Sequence, residues 1–259
     1  MSAGGEGLVE ALSIDFADPY GGVAGLARVE STPGKEPTRA LGVLVGSDGT
    51  WRSVQPDTVR IEDDGTHARA SLDAGGAGFE IEATRGGTAA IGAGTAFADA
   101  AGVSRELSAL RVTGRWSDGE SGGRLDCTGT LARTAGTPDW NRIALMRSLS
   151  AALEDGSLLA VAAARPEGAA GHGEEAASAV LLDPEGALTG FDEPLVSTEY
   201  DPEGRPRRIG VELWSSDEDG APLRGAGTLI GPAADVALLR FTLDGSPGTA
   251  RYELVKPDE

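Results

Sequence analysis

The sequence predicts an all-β protein built as two tandem antiparallel barrels or sandwiches. Three observations carry that expectation. Apolar and polar residues alternate over short runs, the period of a strand with one face in a core. The runs are separated by acidic turns ending in glycine, such as Asp63-Asp64-Gly65 and Glu154-Asp155-Gly156, which is the chemistry of tight hairpins. One ordered set of runs and turns also occurs twice, at residues 43–72 and 180–213. Its first turn ends at Gly49 and Gly186, its second at Gly65 and Gly204. That period of about 137 to 139 residues is far beyond the roughly 20–50 of a solenoid unit and fits a whole β domain.

In chain order, residues 1–7 read as a frayed tail. Residues 12–16 form an apolar-rich run closed by Asp18-Pro19-Tyr20-Gly21, and residues 23–29 a second strand before a loop at Pro33, Gly34 and Pro37. Residues 38–45 are the next run, turned by Ser47-Asp48-Gly49. Residues 51–54, 59–61, 67–72 and 79–83 follow as short strands around the Asp63-Asp64-Gly65 hairpin. Residues 88–101 are small and read as a loop over one end of a sheet. Residues 106–116, turned by Ser117-Asp118-Gly119, and residues 125–131 close the first half.

Residues 140–153 admit two readings. Asp139 as N-cap would suit a helix, whereas residues 148–153 turned by Glu154-Asp155-Gly156 into 158–164 would be a hairpin. The repeat favours the hairpin, because residues 12–21 have the same form, and leaves room for a helical turn at residues 140–146. After an acidic loop at 168–177, residues 180–213 repeat the earlier stretch, and 221–230, 236–243 and 249–255 are the closing strands. The copies differ most at Glu199-Tyr200 against Ile61-Glu62, and at residues 205–208 against 66–69.

Composition narrows the function classes. With 41 acidic and 22 basic residues the chain carries a formal charge of −19, which disfavours nucleic acid and anionic membrane surfaces as partners. No run approaches the roughly 18 apolar residues of a spanning helix, so membrane insertion is not expected. The N-terminus lacks the basic and apolar regions of a secretory signal, and a cytoplasmic protein is the simplest expectation. Cys127 is the only cysteine and has no flanking cation, so it reads as a structural thiol. The 39 glycines and 14 prolines fall between apolar runs, as turn residues do.

Motifs for chemistry are sparse. There is no nucleophile elbow, P-loop, zinc motif or dinucleotide fingerprint, and no cofactor or metal is expected. His67 and His172 are the only histidines, and both fall in polar settings. The paired acids, Asp63-Asp64 and Asp217-Glu218-Asp219 among them, sit at hairpin tips. The aromatics are few, and Trp51, Trp116, Trp140, Trp214 and Tyr200 are candidates for core packing or for the walls of an apolar pocket.

The joint Arg133-Thr134-Ala135-Gly136-Thr137-Pro138-Asp139-Trp140, followed by a run ending Glu154-Asp155-Gly156, resembles the double-lipocalin family of hydroxyneurosporene synthases (carotenoid hydratases) and the related AttH-like proteins. Residues 211–213 and the closing Asp244-Gly245-Ser246-Pro247-Gly248 fit the same outline. In that family the second domain opens with a loop of Arg, His, Ser-Trp-Gly and Arg-Asp-Trp character. Here only Arg133 and Asp139-Trp140 match, and the His and Ser-Trp-Gly part is missing. If that part carries the hydratases' acid chemistry, this chain lacks it.

The resemblance implies an N-terminal lipocalin-like domain over residues 8–132, a joint loop over 133–139 and a C-terminal lipocalin-like domain over 140–256. Relatives of this architecture also occur in polyketide pathways, including enediyne biosynthesis, and the ligand implied is an elongated hydrophobic small molecule of polyene, polyketide or fatty-acyl type. On that reading Trp140, Tyr200 and Trp214 line an apolar barrel pocket, and Arg133 and Arg147 meet a polar end. The alternative is a cofactor-free cyclase or hydratase with Asp139 or Glu199 as general acid. A homodimer is left open.

Overall fold

A computed structural model of the chain describes residues 9–18, 20–31, 38–46, 49–191, 193–214, 221–233 and 236–257. The N-terminal tail, the loop at Pro33, Gly34 and Pro37, residues Pro19, Ser47 and Asp48 of two turns, and the acids Asp217-Glu218-Asp219 lie outside the described residues.

The first nine strands are β1 (Val9–Asp18), β2 (Val23–Ser31), β3 (Arg39–Gly46), β4 (Gly49–Ser53), β5 (Val59–Asp63), β6 (His67–Asp73), β7 (Gly78–Ile91), β8 (Val103–Ser117) and β9 (Gly122–Gly136), with the helix α1 (Ala96–Ala101) between β7 and β8. They form one antiparallel sheet in the order β4-β3-β2-β1-β9-β8-β7-β6-β5. The second nine are β10 (Ile143–Leu153), β11 (Leu158–Pro166), β12 (Ala176–Leu182), β13 (Leu188–Phe191), β14 (Leu195–Tyr200), β15 (Pro206–Leu213), β16 (Leu223–Ala233), β17 (Val236–Leu243) and β18 (Ser246–Val255). Their order is β13-β12-β11-β10-β18-β17-β16-β15-β14, the first sheet's order moved on by nine strands. The duplication read from the glycine turns is therefore a duplication of topology. In the first sheet β5 folds back across β2, giving a nearly closed barrel, and the second curls into a half-barrel.

Each sheet encloses its own core. Ile14, Phe16, Leu44, Phe79, Val112 and Leu131 fill the first, where the Phe16 and Phe79 rings meet edge to face with centroids 5.0 Å apart. The ring pair lies directly on the β2 backbone: a Cβ at Gly25 would stand 2.4 Å from the Phe16 ring. Leu149, Val161, Ile209, Leu239, Phe241 and Tyr252 fill the second.

Two further clusters join the sheets through the opposite faces of the same strands. Ala17, Leu26, Val43 and Val45 pack on Val236 and Leu238. Ile91, Phe97, Leu107 and Ala132 pack on Leu158, Ala160, Ala162 and Ala164. On β11, Leu159 and Val161 face the second core while Leu158, Ala160 and Ala162 face the first sheet. A strand buried on both faces loses its alternation. That is why residues 140–153 suited helix and strand equally. They form a single turn at the joint, with the Asp139 carbonyl accepting from the Arg142 and Ile143 amides, followed by an 11-residue strand.

Residues 88–101, expected as a loop, are the end of β7 and α1. Thr95 caps α1, its hydroxyl accepting from the Ala98 amide at 3.3 Å, and Gly102 closes it at φ 68°, where a side chain would be strained. The run of alanines that looked featureless is a short helix held by its caps and by burial of Phe97 and Ala101. β8 and β9 extend to 15 residues each, beyond the 106–116 and 125–131 read from apolar residues, because small and charged residues occupy their outer positions.

The closeness of the sheets is testable at Gly231, where an added Cβ would lie 2.3 Å from Val45 Cγ1 across the interface. Val45 is β-branched and stiff. Gly231→Ala is expected to destabilise by about 1–3 kcal/mol, read as a lower urea midpoint at unchanged m-value.

Candidate functional site

At the joint end of the interface the small residues that let the sheets touch give way to long ones, and a cleft of about 250 Å³ opens. Its walls come from both halves. β8 supplies Val103 and Arg105, β2 supplies Arg28 and Glu30, β10 supplies Met146 and Ser148, and β18 supplies Glu253 and Val255. Phe97 of α1 and Pro138 and Trp140 of the joint complete it. α1 is pinned there because the Phe97 amide donates to Ser178 Oγ of β12 at 3.1 Å. The aromatic pair Phe97 and Trp140 is thus fixed by the two elements that connect strands, while the strands deliver the charges.

Below the cleft lies a buried ionic mesh. Arg28 of β2 donates to Glu253 of β18, and its Nη2 stands 2.7 Å from Glu30. Arg251 donates to Ser13 at 2.7 Å and pairs with Asp15 at 3.4 Å, and Thr130 donates to Asp15 at 2.7 Å. Burial alone would raise Glu253, but Arg28, then Arg251 and Arg105, outweigh it and hold the carboxyl below its ordinary 4.5. At Asp15 burial wins over Arg251 and Thr130, and the carboxyl is raised. At Arg105 burial first, and then the charge of Arg251, outweigh the opposing charges of Glu253 and Asp15 and lower it to about 10.

The residues singled out in the sequence are dispersed. Trp140 and Arg147 border the cleft. The Arg147 guanidinium is already engaged, its Nε donating to Glu175 at 2.8 Å while Arg165 Nη2 donates to the other Glu175 oxygen at 2.8 Å. Arg133 is held by Asp63 on the first barrel, and Arg85 approaches the same carboxylate at 3.4 Å. Asp139 is an exposed turn residue whose carboxylate accepts from the Asn141 amide at 3.1 Å. Glu199 is exposed on β14, opposite Arg208 in register. Tyr200 and Trp214 are large exposed side chains at the ends of β14 and β15.

Arg105, Phe97, Arg28 and Glu253 were missed. Their signal was in the pattern: Val103, Arg105 and Leu107 share one face of β8, so Arg105 is a charge at a buried position of an alternating strand. Cys127 is partly buried, and burial with the charges of Asp18 and Asp126 pushes its thiol up to about 12, so it is an inert packing group. Among the described residues, no group of three or more His, Cys, Asp or Glu side chains is placed to hold a metal, and no helix is long and apolar enough to cross a membrane.

Two barrel-type sheets of one topology, back to back around a shared cleft, make a double lipocalin-like fold. No protein-family model matches the sequence, and no curated protein does. Solved structures do match. An AttH protein from Nitrosomonas europaea superposes with a TM-score of 0.70 at 15% identity, over 96% of this chain and 92% of that one. CghA gives 0.68 at 13%, over 97% and 88%. Kievitone hydratase from Nectria haematococca gives 0.62 at 9%, over 95% and 88%. The likeness read at the joint therefore holds as a likeness of fold.

The mesh makes a prediction about stability. Glu253→Gln leaves the half-buried Arg28 with Glu30 alone, and should cost about 2–3 kcal/mol, less than the roughly 3–5 of a fully orphaned buried charge. Because Glu253 is depressed in the folded state, its contribution is present above its ordinary 4.5 and disappears as pH falls through the lower folded value. Urea titrations should show wild type and variant well separated at pH 7 and converging below about pH 4.5.

Proposed function

We propose that the protein binds an elongated, largely apolar small molecule of polyene, polyketide or fatty-acyl type in the cleft between its two sheets, within natural-product biosynthesis. The observation that carries this reading is the position of the cleft. The first barrel's interior is filled by its own core around Phe16 and Phe79, whereas Phe97, Val103, Trp140, Met146 and Val255 converge on open space between the halves. On this reading the site lies at the interface and not inside a barrel, and the segments 8–132 and 140–256 are two domains that share it. Binding comes from apolar burial, about 25 cal/mol per Å², within walls that are set before the ligand arrives. The neighbours are compatible: CghA is known in a structure with Sch210972, and another is named a hydratase.

The second reading, a cofactor-free cyclase or hydratase, draws on that hydratase's name. Acid catalysis needs a protonated carboxyl at the ligand. The carboxylates bordering the cleft, Glu30 and Glu253, are both paired with Arg28, while Asp139 and Glu199 are exposed outside its lining. Binding is therefore favoured over acid chemistry. Turnover of a candidate polyene that survives Asp139→Asn and Glu199→Gln unchanged would remove those two acids from the cyclase reading.

Organic extraction of the purified protein followed by mass spectrometry is expected to release a polyene, polyketide or acyl compound. Trp140→Ala should weaken its rebinding by about 5- to 30-fold, the equivalent of about 1–2 kcal/mol of lost apolar wall. An empty extract, together with no change of tryptophan fluorescence on titration with polyene or acyl probes, would defeat the binding reading.

A further inference from the structure

We propose that the cleft receives the carboxylate end of its ligand on the Arg105 guanidinium. The inference rests on the binding reading above and names the head group of the same ligand. Arg105 is 7% exposed. A guanidinium buried without a partner is costly, and the other buried or half-buried arginines of this region have carboxylate partners. Arg28 is held by Glu253 and Glu30, Arg251 by Asp15 and Ser13, and Arg147 by Glu175.

Arg105 differs from all of them. It lines the cleft, and among the described residues no acceptor bonds or pairs with its guanidinium; Arg28 and Arg251 also leave Nε unbonded, but each has a carboxylate on its terminal nitrogens. Asp15 and Glu253 act on it only through space, and each is already engaged, by Arg251 and by Arg28.

The charge of the lining points the same way. Arg28, Arg105, Arg147 and Lys256 border the cleft, against Glu30 and Glu253, and Arg39, which also borders it, is itself engaged. Counting Glu175, which holds Arg147, still leaves the cations in excess, in a chain whose formal charge is −19. A protein so acidic repels anions at long range. A local positive excess at the floor of an aromatic cleft is a site for one anion, and a planar guanidinium matches a carboxylate through two parallel N–H···O bonds. Phe97, Val103 and Trp140 share the cleft and take the apolar chain.

The test uses parinaric acid, a fluorescent polyenoic acid, and its methyl ester, each titrated into the full chain and into Arg105→Met. Wild type should bind the acid about 10- to 100-fold more tightly than the ester, the range of a hydrogen bond to a charged group. Arg105→Met should lose that margin for the acid, keep the ester affinity, and melt without ligand at or above the wild-type Tm, since it removes an unpartnered buried charge. Equal binding of acid and ester by wild type overturns the inference and leaves the cleft reading intact. No binding of either compound overturns both. An Arg105→Met protein that is destabilised and loses acid and ester alike makes Arg105 a packing residue and also overturns it. The acid-to-ester comparison on wild type stands whatever the variant's stability.

Discussion

The two sheets share a face, and the rest of the structure follows from that. β1, β2, β10 and β11 each have one side in a barrel core and the other against the opposite sheet, so neither side can be polar without a partner. Alanine is the common solution. Ala132, Ala160, Ala162 and Ala164 let the backbones approach, and Gly231 receives Val45 where even a methyl group is excluded. Around these contacts Leu26, Leu238, Ile91, Leu107 and Leu158 fill the rest of the interface. The cleft opens at the joint end, beyond that packing.

Charge in the interface obeys a related constraint. Glu253 is stabilised because three arginines surround it, whereas Asp15 is raised because burial exceeds what Arg251 and Thr130 return. Two carboxyls in one mesh thus shift in opposite directions, and the difference is the number of cations each can see. Ionising Asp15 costs stability as pH rises through its raised value, while Glu253 contributes stability above its depressed one. The mesh is therefore a weak source of net stability and a strong source of registry, since it holds β1, β2 and β18 in one alignment.

How much of this was legible follows from what kind of signal each part leaves. Hairpins were plain because Gly65, Gly156, Gly186 and Gly204 take positive φ that few other residues tolerate. The duplication was plain because Gly49 and Gly65 recur as Gly186 and Gly204 at nearly one spacing, 137 and 139 residues on. Strand lengths were not, since the ends of β8 and β9 carry residues such as Ser104, Arg124 and Thr134 that say nothing about pairing. Trp140 was found through the joint. Arg105 was not, because aromatic residues were weighed as site markers and residue 105 falls just before the strand read at 106–116. The parity of Val103, Arg105 and Leu107 marks it as inward-facing, and it is visible in the sequence once the strand is known to start at Val103.

The copies also diverge at the cleft. β7, β8 and β9 run 14, 15 and 15 residues, while their counterparts β16, β17 and β18 run 11, 8 and 10. The added length of β8 and β9 carries Val103, Arg105, Thr134 and Gly136, and α1, with Phe97, fills the connection between β7 and β8. The sequence differences at Glu199-Tyr200 and residues 205–208 fall instead on the exposed hairpin β14–β15. Two identical sheets placed back to back would bury their shared face throughout. A cleft requires one copy to overhang the other, and here the overhang of the first copy brings its own aromatic, its own arginine and the joint that follows it.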